Sequence, residues 1–433
     1  MKFSNRTRWL SWLPQLNPQV WILAMGRFLS DLGSGFTLFY APIFFVNQVH
    51  LSATQVGIGL GSASISGVLG RILGGSFADS RFWGRRRTML LSAAVSAIAS
   101  LVLAVTSDFS SFTAGNLLMG LGMGLYWPAT EALVADLTAP EHRQETYAIV
   151  RFADNLGLGV GIILGGILIG TTGAYRSLFV IDAISFVVFF GVIYFAISET
   201  YRPAEEIKNK KVKVKNKAFF ILPISWTTAL SDRRLLVFIC VNIIFTTYIS
   251  QLHSTLPLYL SKFVQMGNSK VGFSTTTISA LFTWHMIIAI VTLIPIARFL
   301  KRFSHPQTLT VSATLWAVGF SFIWATAIVP VGQLYWTILA MGILAIATVS
   351  YTPSASALVA DIAPVYLRGV YLSINSLCWA VGYAVGPPLG GWAIDRPPTI
   401  ASSFWLALAL SVVIVVAILQ YLDRILKNID TSK

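Results

Sequence analysis

PATEALVADLTAPEHR, residues 128–143, and PSASALVADIAPVYLR, residues 353–368, are two copies of one segment. Each runs on into a helix-forming stretch with a glycine every four residues, closing on Gly165-Gly166 in the first copy and Gly390-Gly391 in the second. The register never slips. Pro128/Pro353, Asp136/Asp361, Arg143/Arg368, Gly157/Gly382, Gly161/Gly386 and Gly165/Gly390 all differ by 225 positions. Six matches at one offset read as an internal duplication. A repeat unit of roughly 200 residues is far longer than that of a solenoid.

Composition says which solvent this doubled chain folds in. Of its 433 residues 55% are hydrophobic and 11% charged, and the mean hydropathy is +0.72. Soluble domains carry about 25% charged residues, so lipid must cover much of this surface. Twelve apolar runs of spanning length follow one another, at 20–46, 55–78, 88–106, 111–136, 146–169, 177–197, 235–259, 271–297, 307–328, 334–361, 370–394 and 402–422. Parallel repeats in such a chain mark transporters, with a site where the halves meet. Predicted units are a first six-helix bundle over 1–198, a basic linker over 199–234 with lysines between Lys208 and Lys217, and a second bundle over 235–433.

The net charge of +14 sits at the ends of the runs. One set of ends carries Lys2, Arg6, Arg8, Arg81, Arg85–Arg87, Arg143, the linker lysines, Arg298, Lys301, Arg302, Arg368, Arg424 and Lys427, the other only Arg176, Lys262, Lys270 and Arg396. The positive-inside bias places both termini in the cytoplasm of a plasma-membrane protein. There is no basic stripe with base-stacking aromatics, so nucleic acid is not an expected partner. The two cysteines, Cys240 and Cys378, lie inside apolar runs and frame no disulfide scaffold.

Gly75-Ser-Phe-Ala-Asp79-Ser-Arg81-Phe-Trp-Gly84-Arg85-Arg86-Arg87 resembles the loop between helices 2 and 3 of the major facilitator superfamily. Asp136…Arg143 and Asp361…Arg368 resemble its loops 4–5 and 10–11. Gly382-x3-Gly386-Pro387-Pro388-Leu389-Gly390-Gly391, Gln251-Leu-His-Ser-Thr-Leu-Pro257 and Ile294-Pro-Ile-Ala-Arg298 are similar to the multidrug:proton antiporter branch. The resemblance implies an all-α fold of twelve transmembrane helices in two six-helix bundles, working by alternating access. It also implies a cytoplasmic latch built from Asp79, Arg85, Arg86, Asp136 and Arg143. The chain departs from that branch at three places. Asp79 to Gly84 is two residues longer than the family spacing, Asn116 stands where helix 4 carries an arginine, and Gly161-Ile162 stands where helix 5 carries Gly-Pro.

The two copies agree in their glycines and loop charges but not in their buried ones. Glu131 aligns with Ser356, Arg151 with Ser376 and Asp154 with Trp379, and helix 1 adds Arg27 and Asp31. A charge at mid-bilayer costs about 2.5–3.5 kcal/mol on insertion scales, so these five are candidates for proton coupling. At about 1.5 Å per residue, Arg27 lies roughly 10 Å and Asp31 roughly 16 Å into helix 1, and Asp154 roughly 12 Å into helix 5. Arg27 and Asp31, four apart, share a face and can pair. The plainer readings are a structural pair for these two, snorkelling for Arg151, a vestibule salt bridge for Glu131 and a structural role for Asp182.

The second half offers aromatic and neutral polar groups: Asn242, Tyr248, Gln251, Trp284, His285, Asn375, Trp379 and Tyr383. With Tyr126 and Trp127 they make a candidate wall for an amphipathic or drug-like small molecule. The strips Gly157/Gly161/Gly165 and Gly382/Gly386/Gly390 let helices approach closely, as tight packing or as a smooth track for rocking. There is no Walker loop, nucleophile elbow or metal-ligand cluster, so neither an enzyme nor a cofactor or metal is expected. The expectation is a monomeric, proton-coupled exporter. Importer or facilitator of a small metabolite, proton- or sodium-linked, and non-transporting receptor are the alternatives.

Overall fold

The computed structural model describes residues 17–78, 80, 82–138, 143–200, 224–264, 272–300, 302–329, 331–364 and 368–430. Its elements are α1 (Pro18–Leu38), α2 (Tyr40–Asn47), α3 (Ala53–Ala78), α4 (Gly84–Val105), α5 (Phe109–Leu137), α6 (Arg143–Thr172) and α7 (Tyr175–Ala196), then α8 (Ile224–Leu230), α9 (Arg233–Lys262), α10 (Thr275–Leu300), α11 (His305–Ala325), α12 (Gln333–Ile362), α13 (Arg368–Ile394) and α14 (Pro398–Asp430). Among the described residues ten helical segments, counting α1 and α2 as one, are long and apolar enough to cross a membrane. The other two long helices, α5 and α13, have 29 and 27 residues. Asp79, Arg81 and the lysine-rich part of the linker lie outside the described residues.

The first span is broken where the sequence reads as one run. A proline ring clashes with the carbonyl four residues back and removes a hydrogen bond. Pro42 reaches back to Leu38, and the helix stops there, turns at Phe39 and restarts as α2. The turn aims the Phe39 ring at the other half, where it stacks on Phe282 at 3.9 Å between centroids and meets the edge of His253 at 5.6 Å.

The duplication is visible in the packing. Gly157 and Gly161 press on the α1 backbone at Phe28 and Leu32, and Gly165 on Phe36 and Tyr40. Gly382, Gly386 and Gly390 press on Thr246, Ser250 and Thr255 of α9. Both strips therefore join a helix to a partner inside its own half. The second glycine of each Gly-Gly pair points the other way: a Cβ on Gly166 would strike Ser279, and one on Gly391 would strike Ala53, across the seam. A helical step of about 100° is enough for this division, since 3.6 residues make one turn. The same symmetry repeats in polar contacts. Ser92 Oγ donates to Gly122 O at 2.7 Å and Ser312 Oγ to Ala347 O at 2.8 Å.

The halves meet chiefly through α3 against α13 and α6 against α10. Many of these contacts gather at the end away from the chain termini, called here the far end. There Tyr175 Oη and Thr275 Oγ1 share a hydrogen bond of 2.9 Å, and Gly57 and Gly61 leave room for the backbone of α13 at Pro387 and Ala384. Nearer the termini Arg71 Nη1 donates to Ser376 Oγ at 2.5 Å.

Candidate functional site

The charges of the first half converge on one guanidinium. Arg27 Nη2 donates to Asp31 Oδ2 at 2.7 Å, and its Nε donates to Asp154 Oδ1 at 3.0 Å. The first partner follows from helical spacing. The second lies 127 residues away in sequence and is brought in by the packing of α6 on α1. The residues are enclosed: Arg27 is 2% and Asp31 8% exposed, and the Asp154 side chain 12%. The guanidinium carbon sits 4.1 Å from the centre of the Tyr126 ring, with Phe189 at 5.8 Å and Trp127 at 6.0 Å. Rings on a planar cation add cation–π attraction and keep water away. Oδ2 of Asp154 is buried and accepts no hydrogen bond among the described residues.

Charge counting makes this arrangement chemically active. Two carboxylates share one guanidinium. With both ionised the cluster carries a net negative charge in a low-dielectric setting, where an uncompensated charge is expensive. One further positive charge balances it, either a proton on a carboxylate or a cationic group brought alongside.

The other predicted residues fall into place around this cluster or away from it. Tyr126 belongs to the cluster itself, fully buried under Arg27. Glu131 is exposed on α5. Arg151 and Arg143 lie on α6, but their side chains are outside the described residues. Asn116 spends its amide on Phe112 O in its own helix, at 2.9 Å. Asp182, 1% exposed, accepts from Ser100 Oγ at 2.7 Å and Ser34 Oγ at 3.3 Å, tying α7 to α4 and α1.

In the second half, Asn242 Nδ2 donates to Asn375 Oδ1 at 2.8 Å, and Tyr351 Oη donates to Asn242 Oδ1. Trp379 stacks on Tyr383 at 6.2 Å, and Tyr383 Oη bonds His253 Nδ1 at 2.8 Å. Gln251 is a strut between helices, its amide donating to Gly386 O at 2.7 Å. Tyr248 packs among Trp316 and Phe320 in the bundle core and bonds Ser411 at 2.6 Å. Trp284 Nε1 donates to Ile338 O at 3.1 Å, and His285 Nδ1 lies 3.0 Å from Met341 O, joining α10 to α12.

At the terminal end, Arg85 pairs with Asp136 at 2.6 Å, linking α4 to α5 within the first half. Glu199, where the linker begins, accepts from the Arg85 and Arg86 amides at 2.9 and 3.1 Å. A carboxylate at a helix N-terminus is favoured by the backbone dipole. Gly84 makes room for it: φ is +78° and a Cβ would strike the Glu199 carboxylate. In the second half the matching acid, Asp361, is hydrogen-bonded by His305 Nε2 at 3.0 Å.

Three residues escaped sequence reasoning. Arg71 is a charge inside a run of spanning length, the criterion that found Arg27, and it bridges the halves. His253 lies two positions past Gln251 but on the seam side of α9, and only the bend at Phe39 reveals that face. Tyr351 carries no local signal beyond being aromatic.

A doubled, all-helical, lipid-solvated chain with an ionisable cluster in one half and an aromatic face in the other is a two-bundle membrane carrier. The sequence profile of the Major Facilitator Superfamily matches residues 23–271 and again 264–428. The chain belongs to that family of transporters, and it is not an enzyme. Among curated relatives it is 24% identical to a "Na(+), Li(+), K(+)/H(+) antiporter" of Planococcus maritimus, over 87% of this chain and 90% of that one. It is 26% identical to the "Multidrug resistance protein MdtH" of Salmonella arizonae, over 83% and 82%. Among solved structures, the nucleoside transporter NupG superposes with a TM-score of 0.74 at 14% identity, covering 94% of this chain and 99% of that one. A peptide transporter POT in complex with sulfate gives 0.72 at 15% identity, over 94% of each chain. These two likenesses concern the fold alone.

Proposed function

We propose that this transporter is a proton-coupled exporter of amphipathic, drug-like small molecules, working as a monomer in the plasma membrane with its termini in the cytoplasm. The observation that carries the reading is the single guanidinium of Arg27 held between the carboxylates of Asp31 and Asp154. The site lacks one positive charge. A proton and a cationic substrate neutralise it equally well but not together, so each displaces the other, and that exclusion couples their movements in opposite directions. Asn375, Trp379, Tyr383 and His253 supply the aromatic and polar face for the body of the molecule. The kinship with a multidrug resistance protein supports the choice of substrate class.

The test is proton flux in vesicles holding the purified protein. Asp31→Asn and Asp154→Asn should each lower substrate-driven proton movement by about tenfold or more, since an amide cannot hold the exchanged proton. If both variants keep pH-driven transport, the coupling site lies elsewhere. The sign of substrate accumulation in inverted vesicles separates export from import.

A second reading, exchange of an alkali cation for a proton at the same cluster, is favoured by the relative from Planococcus maritimus. It predicts proton release on adding sodium or potassium alone, with no organic substrate.

The Arg85–Asp136 pair is proposed as one member of a latch that steadies the terminal end. The Asp136 side chain is 30% exposed at the rim, where pairs are worth about 1 kcal/mol or less, so Asp136→Asn should leave the amount of protein in the membrane nearly unchanged while lowering transport. Equal losses in both would make it a folding contact.

A further inference from the structure

The far end of the seam carries a contact of a different kind from the apolar packing around it. Asp395 follows the last residue of α13, in the second half. Its carboxylate reaches across the seam to the first turn of α3, in the first half. It accepts from the Ala53 amide at 2.8 Å, the Thr54 amide at 2.7 Å and the Thr54 hydroxyl at 2.6 Å. A helix opens with amides that its own turns cannot satisfy, and a negative charge there is favoured.

Helix α3 already has a cap of its own. Ser52 Oγ accepts from the Gln55 amide at 3.1 Å, and Gln55 Oε1 accepts from the Ser52 amide at 2.9 Å. This reciprocal capping box secures the helix start. Asp395 therefore serves the two amides that the box leaves over. When it departs, α3 keeps its start, and the freed amides, of which Ala53 is buried and Thr54 half-buried beneath the end of α13, are uncovered with it and turn to water. Below the contact the two helices touch almost backbone to backbone, with Gly57 and Gly61 against Pro387 and Ala384, and Gly391 against Ala53. Apolar contact of this sort has no directional preference. The three hydrogen bonds do, and they hold only in one register.

We propose that Asp395 is a detachable clasp, which holds the far end of the seam closed and must release the first turn of α3 each time the carrier opens at that end. The inference is independent of which solute is carried.

The clasp stays charged at ordinary pH. Partial burial pushes the Asp395 carboxyl up, but the Thr54 hydroxyl and the Thr54 and Ala53 amides outweigh it and hold the group below the usual carboxylate range. A value lower when clasped than when free means that the clasp is fully present above the free value and is lost as pH falls through the clasped one. The charged groups nearby are Lys262, at the end of α9, and Arg396, which lies over the Trp392 ring. The first two turns of α3 contain no ionisable residue.

The experiment is a distance measurement between spin labels at Ser107→Cys and Thr399→Cys, far-end positions in opposite halves, with Cys240→Ser and Cys378→Ala as background. Asp395→Ala should raise the longer-distance population about tenfold relative to the parent, the equivalent of one charge-assisted hydrogen bond. Thr54→Val, which removes one of the three bonds, should shift it less. An unchanged distance distribution in Asp395→Ala overturns the proposal. So does a fall in melting temperature with no new distance, which is the result for a helix cap that never lets go.

Discussion

Arg27→Met is expected to abolish coupled transport and to destabilise the first bundle by about 3–5 kcal/mol, the usual cost of stripping one partner from a buried ion pair. Methionine fills much of the same volume, so the loss is electrostatic. Asp31 and Asp154 would be left enclosed beside the Tyr126 ring with no cation between them. The decisive comparison is the triple variant Arg27→Met, Asp31→Asn, Asp154→Asn. It removes the stranded charges together with their partner, so it should recover most of the lost thermal stability while remaining inactive in proton-coupled transport. Melting temperature in detergent reads the first effect and vesicle flux the second. Normal pH-driven flux in Arg27→Met would show that the guanidinium plays no part in the exchange.

Gly161→Val should be the most damaging glycine substitution in the repeat, costing about 3 kcal/mol or more, at or beyond the upper end for overpacking. A side chain there meets the Leu32 carbonyl and lies 2.9 Å from the Gly35 Cα, and backbone cannot step aside. Its repeat mate Gly386 faces the Ser250 hydroxyl, the far end of a side chain that can rotate. Gly386→Val should therefore cost clearly less, although the duplication makes the two positions equivalent. Gly191, with nothing within 4 Å of its added carbon, is the control and should tolerate alanine without loss. The fraction of protein surviving heating as a monodisperse peak ranks the three, and an equal loss at Gly161 and Gly386 would refute the backbone argument.

Much of the fold was legible because its signals are local. Apolar runs long enough to span, a constant offset between two copies and glycines at helical spacing each need only neighbouring residues or a ruler along the chain. The pairing of Arg27 with Asp31 was legible for the same reason. Asp154 was recognisable as an intramembrane acid, but not as the second ligand of Arg27. The predicted aromatic wall divided in a way periodicity does not show: Tyr126 went under Arg27, Tyr248 into the bundle core, Gln251 into a strut, while Trp379 stacked on Tyr383, whose hydroxyl met His253.

The amino-acid sequence alone determined that this protein lives in lipid, that it is one half-molecule used twice, and that its buried charge belongs to the first half. Only the tertiary structure decided that the guanidinium paired with Asp31 also serves the distant Asp154, that paired glycines divide their contacts between the two halves, and that Asp395 bonds the first turn of α3 across the seam. Helical periodicity puts residues on a common face. Which neighbour that face meets depends on the rotation of each helix about its axis, and the packing of the whole bundle sets that rotation.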